Sequence, residues 1–140
     1  MSDLTVILRD LLLEQPAVAD LVATRIYPDT LPQQQVGEIS GGLPALVVTE
    51  IDEFESGLES PIGDNGYKRR RLQVDCYAKS RAVTRQLDRA TNRTLHGLRL
   101  MRADIHIHLC RRVNRRVNPV PEVALERISN DYLINFSGEC

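Results

Sequence analysis

The sequence predicts one α+β domain spanning residues 1–140, a mostly antiparallel β-sheet with an N-terminal helix and a long helix packed on one face. Three observations carry the prediction. Residues 80–102 repeat their apolar positions at helical spacing, several shorter stretches alternate apolar and polar side chains as strands do, and the resulting order is helix, strand, strand, helix, strand, strand. A chain of 140 residues can bury a core of its own without a metal or disulfide staple, so no second domain is needed.

The elements follow in order. Leu4, Ile7, Leu8 and Leu11 recur at helical spacing behind Ser2 or Asp3 as N-cap, and Gln15-Pro16 interrupts them, giving a first helix over 4–14. Residues 17–23 add a short turn of helix, and "TRIYP" is a brief extended piece ended by Pro28. Residues 28–42 mix Pro, Gly and Gln without periodicity and read as a loop. A strand over 43–54 sets Leu46, Val48 and Glu50 on one side, Ala45, Val47, Thr49 and Ile51 on the other, and turns acidic at its far end. The Gly, Pro and Asp-Asn-Gly content of 55–66 suits a long hairpin connection. The returning strand, 67–78, sets Lys68, Arg70, Leu72, Val74, Cys76 and Ala78 on one face. Its antiparallel pairing with 43–54 brings the acidic end of one beside the basic end of the other.

Ser80 is the N-cap of a helix over 80–102, with Val83, Leu87, Ala90, Thr94, Leu98 and Met101 in one wedge and Arg81, Arg85, Arg89 and Arg93 opposite. Residues 104–113 alternate Ile105, Ile107 and Leu109 against His106, His108 and Cys110, as a strand does. "RRVNRRVNPVP" duplicates an Arg-Arg-Val-Asn tetrad too short to be an architectural repeat, and its prolines end the strand. Residues 122–138 supply one further long strand or a bent pair.

The composition, 42% hydrophobic and 26% charged with 4% aromatic residues and no Trp, is that of a soluble protein with an aliphatic core. No stretch approaches the roughly 20 apolar residues of a membrane span, and Asp3, Arg9, Asp10 and Glu14 break up the first apolar positions, so the chain is expected to stay in the cytoplasm where it is made. Cys76, Cys110 and Cys140 form no C-x-x-C pair and are expected to be reduced thiols. A net charge of −1 conceals a segregation along the chain. Residues 1–64 hold twelve acidic residues against Arg9 and Arg25, net −10; residues 65–116 hold fifteen basic against Asp75, Asp88 and Asp104, net +12; residues 117–140 add −3. Two arrangements fit: a basic face for nucleic acid, or acidic and basic faces that meet between subunits, and the near-neutral total favours the second.

The candidate sites are few. His106, His108 and Cys110 are possible zinc ligands, but no C-x-x-C or second histidine pair completes a set and His96 lies on the helix, so satisfied side chains and no metal or other cofactor are expected. No P-loop, G-x-S-x-G or H-E-x-x-H occurs, and no catalytic residue is assigned. Lys68, Arg69, Arg70 and Arg71 form either a solvated strand end or the lining of a passage for DNA; alternate side chains point apart, so two at most face one duplex. Arg81, Arg85, Arg89 and Arg93 stand one turn apart and repel, with Asp88 alone close enough in sequence to relieve them. Solvent and salt can neutralise this stripe, or an acidic surface such as Glu50, Asp52, Glu53 and Glu55 of a neighbouring copy can.

The strand "LPALVVTEI", a long polar connection and then "RRRLQVDCYAKSRAVTRQLDRATNRTLHGL" together resemble the tail-completion, or tail-terminator, family of long-tailed bacteriophages and prophages. The N-terminal "LTVILRDLLLEQPAVADLVATRIYPDTLPQ" is similar to the start of that family, where a helix leads to a short "R-I-Y" strand and a proline-containing loop. The resemblance covers nearly the whole chain and rests on hydrophobicity patterns and lengths. It implies a non-catalytic virion protein assembling as a ring, usually of six copies, at the head-proximal end of the tail tube. There it stops tube growth and offers a surface to the head connector, with DNA crossing the central opening. Carried over by position, the 43–54 and 67–78 hairpin and the 80–102 helix are assembly surfaces; the basic residues then either dock on acidic neighbours or line the opening, with Lys68 to Arg71 expected near the DNA path. "RRVNRRVNPVPE" departs from the family as a longer and more basic stretch. A head-closure ring protein and a prophage-encoded DNA-binding module are the other readings.

Overall fold

The computed structural model describes residues 4–28, 43–55, 68–102, 105–120 and 125–138, with the backbone alone for 52–55. The expected loop over 28–42 past Pro28, the connection over 56–66, the Ser2 or Asp3 cap and Cys140 lie outside the described residues. Helices α1 (Leu4–Leu13) and α2 (Pro16–Val22) lead to β1 (Ile26–Pro28). Then come β2 (Ala45–Glu55), β3 (Lys68–Ala78), α3 (Arg81–Leu95), β4 (Leu98–Arg102), β5 (Ile105–Val117) and β6 (Glu126–Gly138). The strands form one sheet in the order β1-β2-β3-β6-β5-β4, antiparallel throughout except for the parallel pair β1 and β2.

Local chemistry sets the boundaries. Leu4, Ile7, Leu8, Leu11 and Leu12 give α1 a buried stripe. Pro16 opens α2 at its first turn, where a missing N–H leaves nothing unpaired. Ser80 Oγ accepts the Val83 N–H at 3.1 Å and starts α3. One core lies between the helices and the sheet. It joins Leu4, Leu8 and Leu12 of α1, Val18 and Val22 of α2 and Leu87 and Leu95 of α3 to alternate residues of the strands: Leu46, Val48, Leu72, Val74, Cys76, Ile134 and Phe136 among them. Each fully buried Leu or Phe there stabilises the fold by about 1.5–3 kcal/mol relative to exposure.

Three sequence expectations are corrected. The long helix stops at Leu95, not 102: Gly97 takes a left-handed φ of +82° and donates its N–H to the Cys110 carbonyl at 2.7 Å, turning the chain into β4. Leu98 and Met101 therefore belong to a strand, and Met101 is 70% exposed. The buried face of α3 is Thr84, Leu87, Asp88, Thr91 and Leu95, rotated from the expected wedge so that polar side chains enter the core boundary. Finally, β5 runs on to Val117 and carries two bulges, between Ile107 and Leu109 and between Arg112 and Asn114. Each bulge shifts the strand's alternation by one residue.

Candidate subunit interface

Arg85, Arg89 and Arg93 are exposed on the outer face of α3, as the helical spacing requires. Arg81 alone of the stripe has a carboxylate partner among the described residues, Glu126 Oε2 at 3.8 Å from its Nε. Asp88 does not serve the stripe. It is 5% exposed and turned toward the sheet, where Oδ1 accepts Asn130 Nδ2 at 2.7 Å and Oδ2 accepts Arg115 Nε at 2.9 Å. Arg112 Nη1 stands 3.6 Å from Oδ1 and donates to Asn130 Oδ1 at 3.4 Å.

The second β5 bulge makes this possible. Residues 112 and 115 are an odd number apart and would lie on opposite faces of a regular strand, yet Arg112 pairs with Tyr132 and Arg115 with Asn130, both on the helix side. Tyr132 is buried, which pushes its phenol above the ordinary range, and its hydroxyl donates to Asn92 Oδ1 at 3.0 Å. Between α3 and β5 lies an open groove of about 240 Å³ lined by Arg85, Asp88, Arg89, Asn92, Arg112 and Arg115. Four arginines and one carboxylate give it a net charge of +3.

The hairpin satisfies part of its own charge. The register sets Asp52 opposite Arg71, Glu53 opposite Arg70 and Glu55 opposite Lys68. Arg70 is only 6% exposed; its Nε is 3.4 Å from Glu50 Oε1 and its guanidinium carbon 4.9 Å from the Phe136 ring centroid. Arg69 Nε donates to Asn135 Oδ1 at 3.2 Å. Of the four residues expected to face DNA, Arg70 is thus taken up by the fold and Arg71 is the exposed one. The side chains of Asp52, Glu53 and Glu55 lie outside the described residues, and Glu50 reaches solvent with 46% of its side chain exposed.

The first β5 bulge separates the histidine and cysteine trio. Cys110 pairs with Ile134 on the core face, where burial pushes its thiol up to about 12, while His106 and His108 remain outside with ring centroids 4.0 Å apart. His108 Nε2 is 2.9 Å from Ser137 Oγ, and burial followed by the neighbouring His106 charge lowers its pKa. His96 Nδ1 accepts the Arg112 N–H at 3.1 Å, capping the edge of β5. No group of three or more His, Cys, Asp or Glu residues placed to hold a metal occurs among the described residues.

The sequence reading missed Asp88 as an organising residue, together with Arg112, Arg115 and Asn130. One signal was available: Asp88 follows Leu87 on the apolar side of a helix that otherwise carries no acid. A second polar set lies on the sheet face away from the helices, where Arg116 grips Asp131 through two nitrogens at 3.2 and 3.5 Å and Gln73 Nε2 donates to Asp75. No helix among the described residues is long and apolar enough to cross a membrane.

Comparison with curated proteins finds no match. Among solved structures, a chain from the virion of a native gene transfer agent particle superposes with a TM-score of 0.70 at 15% identity, covering 96% of this chain and 95% of that one, a likeness of fold. The family model described as Tail completion protein gp17 matches residues 7–136, so that α1 from Ile7 onward, the whole sheet up to Phe136 and the arginine groove all fall inside it. The chain belongs to the tail completion protein family and is a structural protein of the phage tail.

Proposed function

We propose that six copies of this chain close into a ring at the head-proximal end of a tail tube, stopping tube growth and offering the surface to which the head connector joins. One observation carries the reading: Arg85, Arg89 and Arg93 stand exposed in a row, no ion pair among the described residues neutralises them, and the first 64 residues of the same chain hold a net charge of −10. Like charges one turn apart cost a helix some tenths of a kcal/mol per pair, roughly 0.2–0.5, which contact with an acidic surface reverses. A head-to-tail contact between the acidic end of β2 and the outer face of α3 repeats around a closed rotation and generates a ring. DNA crosses the opening, with Lys68, Arg69 and Arg71 supplying sequence-independent positive charge along its path. The tail tube protein and a head-closure protein are the other partners, and no catalytic step is involved.

The test is the native mass of the purified chain by light scattering across a salt series, with negative-stain images of the largest species. The wild type forms closed rings that dissociate as salt rises, because the contact is electrostatic. Arg85→Glu with Arg89→Glu gives a folded monomer. Intact rings from that double variant overturn the assignment of α3 to the interface.

A further inference from the structure

We infer that the groove between α3 and β5 is a socket that receives a carboxylate side chain from the acidic end of β2 in a second copy of this chain, with Asp88 as the residue that positions its floor. The inference rests on the self-assembling reading above and adds to it the two β5 arginines, which the helix stripe does not include. Arg112 and Arg115 are partly buried, with 27% and 38% of their side chains exposed, and Asp88 fixes one edge of each guanidinium. A guanidinium presents five N–H groups in a rigid fork, so the donors not directed at Asp88 and Asn130 remain to grip an incoming oxyanion. Arginines already held in place lose little conformational freedom on binding, which is what makes a socket tighter than a surface patch of equal charge. Arg85 and Arg89 form its outer wall.

The same argument selects the occupant. A phosphodiester strand is a continuous ridge that wants a row of contacts, whereas this is one concavity with a charge of +3. The matching charge is carried by the chain itself, whose total is −1. The acidic end of β2 in the same copy does not reach it: β3 and β6 lie between β2 and β5, three inter-strand steps or roughly 14 Å. A neighbour's β2 end can enter, and Glu50 at its base already reaches solvent. Asp88 stays outside the contact with the neighbour and acts through Arg112 and Arg115.

Two sets of variants test this by light scattering, with circular dichroism to show that each is folded. Arg112→Gln with Arg115→Gln keeps a donor for Asp88 and leaves Arg85 and Arg89 intact; ring association is expected to weaken at least roughly tenfold, the loss typical of a partly buried charge contact. In the second set, Arg85→Glu with Arg89→Glu and, separately, Asp52→Lys with Glu53→Lys are each monomeric. Mixed in equal amounts they rebuild rings of wild-type mass, since alternate junctions are native and the others pair the introduced Glu of one variant with the introduced Lys of the other. Wild-type salt dependence in the glutamine variant overturns the role of the β5 arginines while the ring reading stands. Failure of the mixture to assemble overturns the β2 occupant. Loss of duplex DNA binding in the glutamine variant with rings unchanged makes the occupant a phosphate and overturns the inference. A wild type that stays monomeric at every salt concentration overturns the ring reading and this one with it.

Discussion

Asp88→Ala isolates the polar centre of the α3–β5 junction, and its cost can be worked from the contacts. The substitution removes the acceptor for Asn130 Nδ2, and Asn130 is fully buried, so that amide loses its partner where water does not reach it. An orphaned buried donor costs about 1–3 kcal/mol. The bond to Arg115 Nε is charge-assisted, but 38% of that side chain is exposed and rehydrates when released, so its loss adds only about 1 kcal/mol. Arg112 is treated the same way, while relief of a carboxylate that was itself desolvated works in the opposite direction. The net destabilisation is about 2–4 kcal/mol, which at a urea m-value near 2 kcal/mol/M moves the midpoint down by about 1–2 M. The assay is urea unfolding followed by circular dichroism at high salt, run at two protein concentrations so that a midpoint independent of concentration reports the single chain. Asp88→Asn restores an acceptor to Asn130 and recovers about 1 kcal/mol of the loss. A cost for the alanine variant below about 0.5 kcal/mol, the range of ordinary surface changes, refutes the account of Asp88 as an organising residue.

Neighbours in the basic run of β3 should separate by readout. Arg70→Ala, which strips a desolvated cation from the Phe136 ring and from Glu50, costs about 1–2 kcal/mol in the same unfolding assay; Arg71→Ala leaves stability within about 0.5 kcal/mol and instead lowers the yield of stable head–tail joining. Equal stability losses from the two refute the difference in burial. The buried thiols give a pH signature. Burial holds Cys110 protonated up to about 12, and Cys76 well above its ordinary value of 9.0 through burial, then Asp88, then Asp75. The unfolded thiols ionise first, so stability is complete below about pH 9 and falls as pH rises toward about 12, by at most about 1.4 kcal/mol per pH unit for each thiol. A urea midpoint that stays flat across that window refutes the burial of both.

The parts of this fold that depend on nearest neighbours were legible. The β-branched run of β2 and the alternation of β3 fix both strands to within a residue or two, and with them the meeting of Glu50 and Arg70. Chance phase hid the end of α3: Leu98 and Met101 happen to continue the helical wedge, and only Gly97 marks the break. The groove was out of reach because its logic is non-local. Asp88 finds Arg115 and Asn130 across 27 and 42 residues of chain, and no spacing rule connects them. The zinc candidate failed for a related reason, since strict alternation was assumed where β5 inserts an extra residue.

The same inserted residue at Val113 changes what the duplicated tetrad means. In the first Arg-Arg-Val-Asn, Arg111 pairs with Leu133 on the outer side and Arg112 with Tyr132 beneath α3; in the second, Arg115 pairs with Asn130 beneath α3 and Arg116 with Ser129 outside. Two identical four-letter words are therefore spelled in mirror order, with inner and outer arginines exchanged. Matching them letter for letter would equate Arg111, which faces water, with Arg115, which holds a buried carboxylate. A regular strand of the same sequence, with Val113 paired instead of bulged, would bring the words into step and, in doing so, turn the second arginine pair inside out.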